Sequence, residues 1–319
     1  MYKGGEKVLN PTLFFYIIPF YHIHHRDPSI TMSPPSATGF ETATIALQSQ
    51  DGVDTAAAAM GSKFPTPRKF DDKLKEREYL KGRLILAYRI FAKLGYDEGV
   101  AGHITLRDPV EPTSFWVNPF GVAWPLLKAS DLILVNAAGE IVDGGPVRLL
   151  NKAAYMIHHA VHTARPEVNC VAHSHSIYGR TFCALGRELD IITQDACAFY
   201  NDHALYDSFK GVVLGEEEGQ EIAAALGGKK AALLQNHGLL TCGLSIESTV
   251  FWFTSLEKCC HAQLMADAAA GGRGGVTVKV NDKEAEFTGK AIGTETAGWF
   301  SALPAFAVME KEVEEGYDQ

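Results

Sequence analysis

The hydrophobic positions follow two rhythms in turn from Asp71 onward. In "DDKLKEREYLKGRLILAYRIFAKLGY", Leu74, Leu80, Leu84, Ala87, Ile90, Phe91 and Leu94 recur at helical spacing. Acids open that stretch and Gly95 closes it, as helix ends require. Short Gly-, Pro- and Asn-bounded runs follow and predict strands: "GVAGHITLRDP", "SFWVNPF", and "DLILVNAAGEIV" with a tight "NAAGE" turn. "NKAAYMIHHAVHTARP" returns to helical spacing, with Asn151 as N-cap and Pro166 as stop. "VNCVAHSHS" predicts a buried strand, "TFCALG" a short helix and "GVVLG" a strand. "EEEGQEIAAALG" is a helix, "KAALLQNHGLLTCG" a strand, and "SIESTVFWFTSLEKCCHAQLMADAAA" a long helix capped by serine. "GGRGG" makes a flexible joint before a C-terminal segment containing "GWFSALPAFAVMEKEVEEG". No internal repeat is present. The mixture specifies one α/β domain with helical layers on both faces of a sheet. Its expected limits are 71–270, between an N-terminal arm, 1–70, and a C-terminal extension, 271–319, that docks on the domain or on a neighbouring subunit.

The arm differs from the rest. Its apolar run "LFFYIIPF" is interrupted by Pro19 and is far shorter than the roughly 20 residues of a membrane helix. No small-residue cleavage site follows it, so it reads as an unstructured leader, or as upstream sequence with Met32 as the start. Ser33 to Arg68 is rich in Ser, Pro, Ala, Thr and Gly, the composition of a flexible arm. The chain as a whole is 46% hydrophobic with a formal net charge of −9. That charge argues against a nucleic-acid partner or a polybasic membrane contact. Six cysteines, none in a CxxC pair, sit mostly in apolar segments and read as buried thiols of a reducing, cytoplasmic compartment.

Chemistry concentrates in "CVAHSHS". On a strand, residues i and i+2 share a face, so His173 and His175 project together. "QNHGLL" places His237 at another strand end, before a glycine that lets the backbone turn close to a site. Three imidazoles with an open fourth position are a catalytic arrangement for a divalent metal. The competing reading is three hydrogen-bonded core histidines.

These residues carry a resemblance. "PEVNCVAHSHS", followed some way on by "AALLQNHGLL" and preceded by "AGHITLRD" and "VNPFG", resembles the class II aldolase/adducin family. The resemblance spans about residues 75 to 270. It implies a three-layer α/β/α fold with a mostly antiparallel central sheet, and His173, His175 and His237 as metal ligands. It also implies zinc as the metal, with Fe(II) or Mn as alternatives, and a homotetramer with active sites at subunit interfaces. Departures from the family pattern shift the expectation. The catalytic glutamate position is Ala154, and no carboxylate occurs between Asp143 and Glu167. The family's phosphate-binding asparagine is His103, its Ser/Thr before glycine is Phe120, and its catalytic tyrosine falls near Gln194 and Asp195.

The expected function is therefore a metal-dependent lyase acting on a small non-phosphorylated hydroxy- or keto-carbonyl compound. It would work by aldol cleavage or decarboxylation through a metal-stabilised enolate. Two alternatives stand beside it. One is a non-haem iron oxygenase of secondary metabolism, an activity held by an aldolase-like enzyme of novobiocin-type pathways. The other is an adducin-like interaction module without catalysis, a reading weakened by the acidic "MEKEVEEGYDQ" end. Tyr200, His203, Lys152 and Asp195 are the candidate catalytic groups, with Tyr155, His158 and His159 behind them. Histidines beside alanines on a helix are more often packing or surface residues. His103, Gly102, Gly121, Phe120 and Asn151 are the candidate substrate contacts, although turn geometry alone explains both glycines. Arg107 and Arg180 are candidate carboxylate partners. Trp299 and Phe300 are candidates to close a neighbouring subunit's pocket, or to dock on their own.

Overall fold

The computed structural model describes residues 65–212 and 215–313. These belong to one compact unit. The arm before residue 65, with its apolar run and "HIHH", and the acidic end after residue 313 lie outside the described residues.

Helix α1, Lys73–Lys93, starts where the Asp72 carboxylate accepts the backbone N–H groups of Leu74 and Lys75. Its second half, from Arg83 to Phe91, is buried. Strands β1 (His103–Arg107), β2 (Phe115–Val117), β3 (Ile133–Val135) and β4 (Ile141–Gly144) follow. Helix α2, Lys152–Ala164, is capped by the Asn151 side chain. Strand β5 (Cys170–Ser174) leads into α3 (Ile177–Cys183), and β6 (His203–Tyr206) leads into α4 (Glu216–Leu226). Strands β7 (Ala231–Leu234) and β8 (Gly238–Gly243) precede α5 (Ile246–Gly271), α6 (Asp282–Ile292) and α7 (Glu295–Glu312).

The strands form an eight-stranded sheet in the order β4-β3-β2-β1-β5-β8-β7-β6. Each neighbouring pair is antiparallel except β6–β7. Alternation along β5 and β1 decides the layers. Cys170, Ala172, Ile104 and Leu106 join residues of α1, α3, α5 and α7 in one core. Val171, Ala232, Leu234 and Leu240 face the opposite way and pack with Ile157, Val161 and Ile222 of α2 and α4. The result is the expected three-layer α/β/α arrangement with a mostly antiparallel sheet.

Three local expectations are corrected. "KAALLQNHGLLTCG" is two antiparallel strands, because the chain reverses at Gln235–His237, where Asn236 takes a φ of 56° and His237 N–H bonds the Leu234 carbonyl at 3.0 Å. Of "GVVLG", Gly211 and Val212 form a bend, and Val213 and Leu214 lie outside the described residues. The edge strand is instead His203–Tyr206, in a stretch whose polar residues hid it. The short helix near "TFCALG" begins earlier, at Ile177, and ends at Cys183.

The C-terminal helices pack within the chain. Arg83 of α1 donates to Glu247 of α5 at 2.7 Å and also pairs with Glu310 of α7. Trp299 is buried on this chain, and Phe300 is exposed. All six cysteines are buried and free. No helix of the described residues is long and apolar enough to cross a membrane.

One buried hydroxyl sets the end of the sheet where the histidines gather. Tyr88 Oη accepts the Ile104 and Asn118 N–H groups at 3.0 and 3.1 Å and lies 2.5 Å from the Ile104 carbonyl. It thereby fixes β1 just after His103 and the chain just before Phe120. Tyr88→Phe would remove this acceptor from the buried Ile104 N–H and the partly buried Asn118 N–H. We expect it to lower stability by about 2 kcal/mol in urea unfolding.

Candidate metal centre

Strand register assembles the site. β5 and β8 pair antiparallel with His173 opposite Leu240 and Ser174 opposite Leu239. The β7–β8 turn therefore lies beside the residues that follow Ser174, and His237 meets His175 there. One ring nitrogen from each of His173, His175 and His237 falls within 4.8 Å of the others. Ring centroids are 5.1 Å apart for His173–His175, 4.7 Å for His173–His237 and 4.8 Å for His175–His237.

Local geometry orients these rings. His173 Nδ1 lies 2.8 Å from the Leu239 carbonyl oxygen, an acceptor only, so this nitrogen carries the proton and Nε2 keeps its lone pair for the cluster. A side-chain carbon at Gly238 would lie 2.6 Å from the Ser174 carbonyl oxygen and 3.4 Å from both His173 and His175. Only glycine allows that approach. Just beyond His175, the Glu257 carboxylate of α5 accepts Ser176 Oγ–H, Tyr178 N–H and Gly179 N–H at 2.5, 2.9 and 2.6 Å. It thus anchors the first turn of α3. Sequence reading missed Glu257. Its signal was a carboxylate one helical turn from Phe253, on the apolar face of a core helix.

The three imidazoles are neutral at pH 7. Burial pushes His173 well below the ordinary imidazole range, and the neighbouring His237 and His103 rings add to it. Burial, then His175, lowers His237 to about 4. Burial, then the Arg180 charge, lowers His175. Neutral, converging, partly pre-oriented imidazoles fit a divalent cation.

The cluster lines a cavity of about 710 Å3. Phe120, Ile157, Phe209 and Val212 supply apolar wall, Asn151 and Asn236 supply amides, and no Asp or Glu lines it among the described residues. Arg180 is its cation, facing Glu98 at 3.5 Å. Arg107 does not line it. Its guanidinium is engaged by the carbonyls of Val168, Pro112, His162 and Arg165.

The other sequence-derived residues divide. His103 lines the cavity, is buried, and has no ring nitrogen in a hydrogen bond of good geometry, with the Gly102 backbone alongside. Gly102, with φ +90°, also lines it; a side chain there would meet the Trp124 ring at 3.0 Å and the His173 carbonyl at 3.1 Å. Gly121 faces open space, and its φ of +87° serves the turn. Phe120 and Asn151 reach the cavity, Asn151 while capping α2. At the glutamate position of the resemblance, Ala154 is buried and Ala153 faces the cavity. Lys152 and Asp195 are exposed and do not line it.

Tyr200 and His203 are not brought to the cluster. β6 runs parallel to β7 with His203 opposite Ala231, at the end of β7 away from His237. Both His203 nitrogens are occupied there, Nδ1 by the Phe199 carbonyl at 2.7 Å and Nε2 by Leu189 N–H at 3.1 Å. Tyr155 spends its hydroxyl on the Ala137 carbonyl at 2.8 Å and stacks on His159.

A family model described as Class II Aldolase and Adducin N-terminal domain matches residues 82–264, and the chain belongs to that family. It is 43% identical over 243 residues to "Decarboxylase NovR" of Streptomyces niveus, covering 76% of this chain and 87% of that one. It is 44% identical over 243 residues to "4-hydroxy-3-prenylphenylpyruvate oxygenase/4-hydroxy-3-prenylbenzoate synthase" of Streptomyces roseochromogenus subsp. oscitans, covering 76% and 85%. Among solved structures it resembles an L-fuculose 1-phosphate aldolase from Glaciozyma antarctica PI12, with TM-score 0.72 and 49% identity over 79% of this chain and 96% of that one.

Behind His103, α2 buries His158 and His162. Burial holds His158 well below its ordinary value of 6.5 and lowers His162 to about 3. Below pH 6.5 the unfolded chain takes up protons that the folded chain refuses, so stability falls as pH drops toward about 3. Urea unfolding of metal-free protein is expected to lose about 2 kcal/mol per such histidine between pH 7 and pH 5. His162→Asn should reduce that loss by one increment.

Proposed function

We propose that the chain is a divalent-metal-dependent lyase that cleaves a carbon–carbon bond next to a carbonyl in a non-phosphorylated hydroxy- or keto-acid. The observation that carries this reading is the cluster of three neutral imidazoles within 4.8 Å, in a cavity whose lining, among the described residues, includes Arg180 and no carboxylate. His173, His175 and His237 would hold the cation, and zinc is the proposed ion. A bound divalent cation supplies Lewis-acid polarisation of a carbonyl oxygen, an effect of several kcal/mol.

The chain's own residues do the rest. Arg180 offers a substrate carboxylate a charge-assisted contact, exchanging its 3.5 Å pairing with Glu98 for the ligand. Phe120, Phe209, Ile157 and Val212 hold an apolar or aromatic substituent and exclude water. Aldol cleavage needs a base within hydrogen-bond reach, and no Asp or Glu among the described residues lines the cavity. Decarboxylation of a β-keto acid needs none. The breaking bond's electron pair moves toward the neighbouring carbonyl, CO2 leaves, and a proton returns to carbon from solvent. Decarboxylation is thus the favoured member of the lyase class, in keeping with the name of the Streptomyces niveus relative. A homotetramer in the cytoplasm is the proposed setting.

A second reading, a non-haem iron oxygenase acting on an aromatic keto-acid, is favoured by the name of the Streptomyces roseochromogenus relative and by the apolar wall. Imidazole suits Fe(II) as well as Zn(II).

Metal analysis and turnover separate the readings. Wild-type protein should purify with, or take up, a stoichiometric divalent metal, and His175→Ala should lose it. Anaerobic CO2 release or loss of carbonyl absorbance from keto-acids supports the lyase. Oxygen uptake with the iron-loaded protein supports the oxygenase. Cleavage of L-fuculose 1-phosphate would overturn the acid assignment, and an inability to bind metal would leave a non-catalytic adducin-like module.

A further inference from the structure

Strand β1 and helix α2 interleave their polar side chains in one buried line. On β1, His103, Thr105 and Arg107 share a face at i, i+2 and i+4. On α2, His158 and His162 lie one turn apart. Two strand residues advance about 6.8 Å and four helix residues about 6 Å, so the two series interdigitate. The order along the line is Arg107, His162, Thr105, His158, His103. Arg107 Nη2 lies 3.2 Å from His162 Nδ1, His162 Nε2 lies 2.9 Å from Thr105 Oγ1, and Thr105 Oγ1 lies 2.7 Å from His158 Nδ1. The His158 and His103 ring centroids are 4.3 Å apart, and His103 opens on the cavity.

The polarity of this line follows from its first member. A guanidinium only donates, so His162 Nδ1 carries a lone pair and its proton sits on Nε2. That Nε2–H donates to Thr105 Oγ1. The threonine hydroxyl has one proton, and it goes to His158 Nδ1. His158 therefore carries its own proton on Nε2, which has no partner among the described residues. The ring beside it is His103, whose two nitrogens are also buried and make no hydrogen bond of good geometry, with the Gly102 backbone alongside. The two rings meet edge to face at 4.3 Å without an N–H···N bond, so the coupling between them is electrostatic: the His158 N–H dipole favours a lone pair on the nearer His103 nitrogen and the proton on the farther one. A buried donor left unpaired calls for an acceptor, and the cavity is where one enters.

We propose that Arg107, His162, Thr105 and His158 form a directional hydrogen-bond ladder whose last ring abuts His103, biases its tautomer electrostatically and so presents it to the cavity as a hydrogen-bond donor to a substrate oxygen. His103 touches the substrate; the other four are positioning residues. Beside a cluster of lone pairs aimed at a cation, the ladder supplies the opposite polarity: a fixed donor for the carboxylate or carbonyl oxygen of a keto-acid. The substrate part of this assignment rests on the function proposed above, whereas the tautomers do not.

The test is long-range 1H–15N correlation of histidine side chains in 15N-histidine-labelled, zinc-loaded protein near pH 7.5, with Thr105→Val and Thr105→Ser beside wild type. The ladder requires neutral Nε2–H tautomers at His162 and His158 in wild type and a single tautomer at His103. It also requires a mixture at His158 and His103 in Thr105→Val, restoration in Thr105→Ser, and equal zinc affinity in all three. Calorimetric affinity, without oxygen, for phenylpyruvate, an α-keto acid that offers carboxylate and carbonyl oxygens but not the β-keto-acid bond, should fall about tenfold in Thr105→Val and recover in Thr105→Ser, the size of one buried hydrogen bond. An Nδ1–H tautomer at His158 in wild type overturns the proposal. So does an unchanged His103 in Thr105→Val, or phenylpyruvate affinity equal to wild type in that variant. Loss of zinc affinity in Thr105→Val would reduce the threonine to a structural part and overturn its positioning role. A wild-type protein with the stated tautomers but no affinity for phenylpyruvate supports the ladder and overturns an α-keto acid as its ligand, while CO2 release from β-keto acids judges the lyase reading separately.

Discussion

The pairing of β5 with β8 is the constraint on which the rest depends. His173 and His175 lie more than sixty residues from His237 in the chain, yet the register that sets Ser174 opposite Leu239 leaves the β7–β8 turn beside them. A one-residue slip would turn the β5 side chains to the other face and send His173 into the core of α1 and α5. Two devices guard this register. The Leu239 carbonyl receives the His173 ring N–H, and the lack of a side chain at Gly238 lets β8 approach Ser174.

Around that pairing, each layer contributes a different part of the site. The layer of α1, α5 and α7 holds the frame: Tyr88 pins β1 and the chain before Phe120, and Glu257 anchors the turn that begins one residue after His175. The layer of α2 and α4 backs the sheet face that His173 and His103 occupy. Its buried histidines replace the aliphatic packing that a sheet–helix contact normally uses. Those rings are tolerated because Thr105 and Arg107 satisfy most of their polar atoms.

Much of the site was legible because it is written in residue types that rarely occur together. Two histidines two apart on an apolar strand, with a third before a glycine, announce themselves without knowledge of the fold. The layer arrangement was legible for a similar reason: helical and strand rhythms alternate along the chain. What stayed hidden depended on turns and partners. The reversal inside "AALLQNHGLL" rests on one positive φ at Asn236, within a run apolar on both sides. β6 was masked by Tyr, Asp and His residues, and His203 looked like a pocket group because its two backbone partners, Phe199 and Leu189, are set by the fold. Arg107 could not be distinguished from Arg180 as a carboxylate partner until the carbonyls around it were in place.

The His173 ring is steadied by a peptide carbonyl and not by an acid. Together with the lining of the cavity, this makes the donor set electrically neutral. An ion held there would keep its full double charge, undiminished by any ligand of opposite sign. Such a centre would discriminate by charge before it discriminated by shape, drawing in anionic oxygen ahead of neutral groups of the same size.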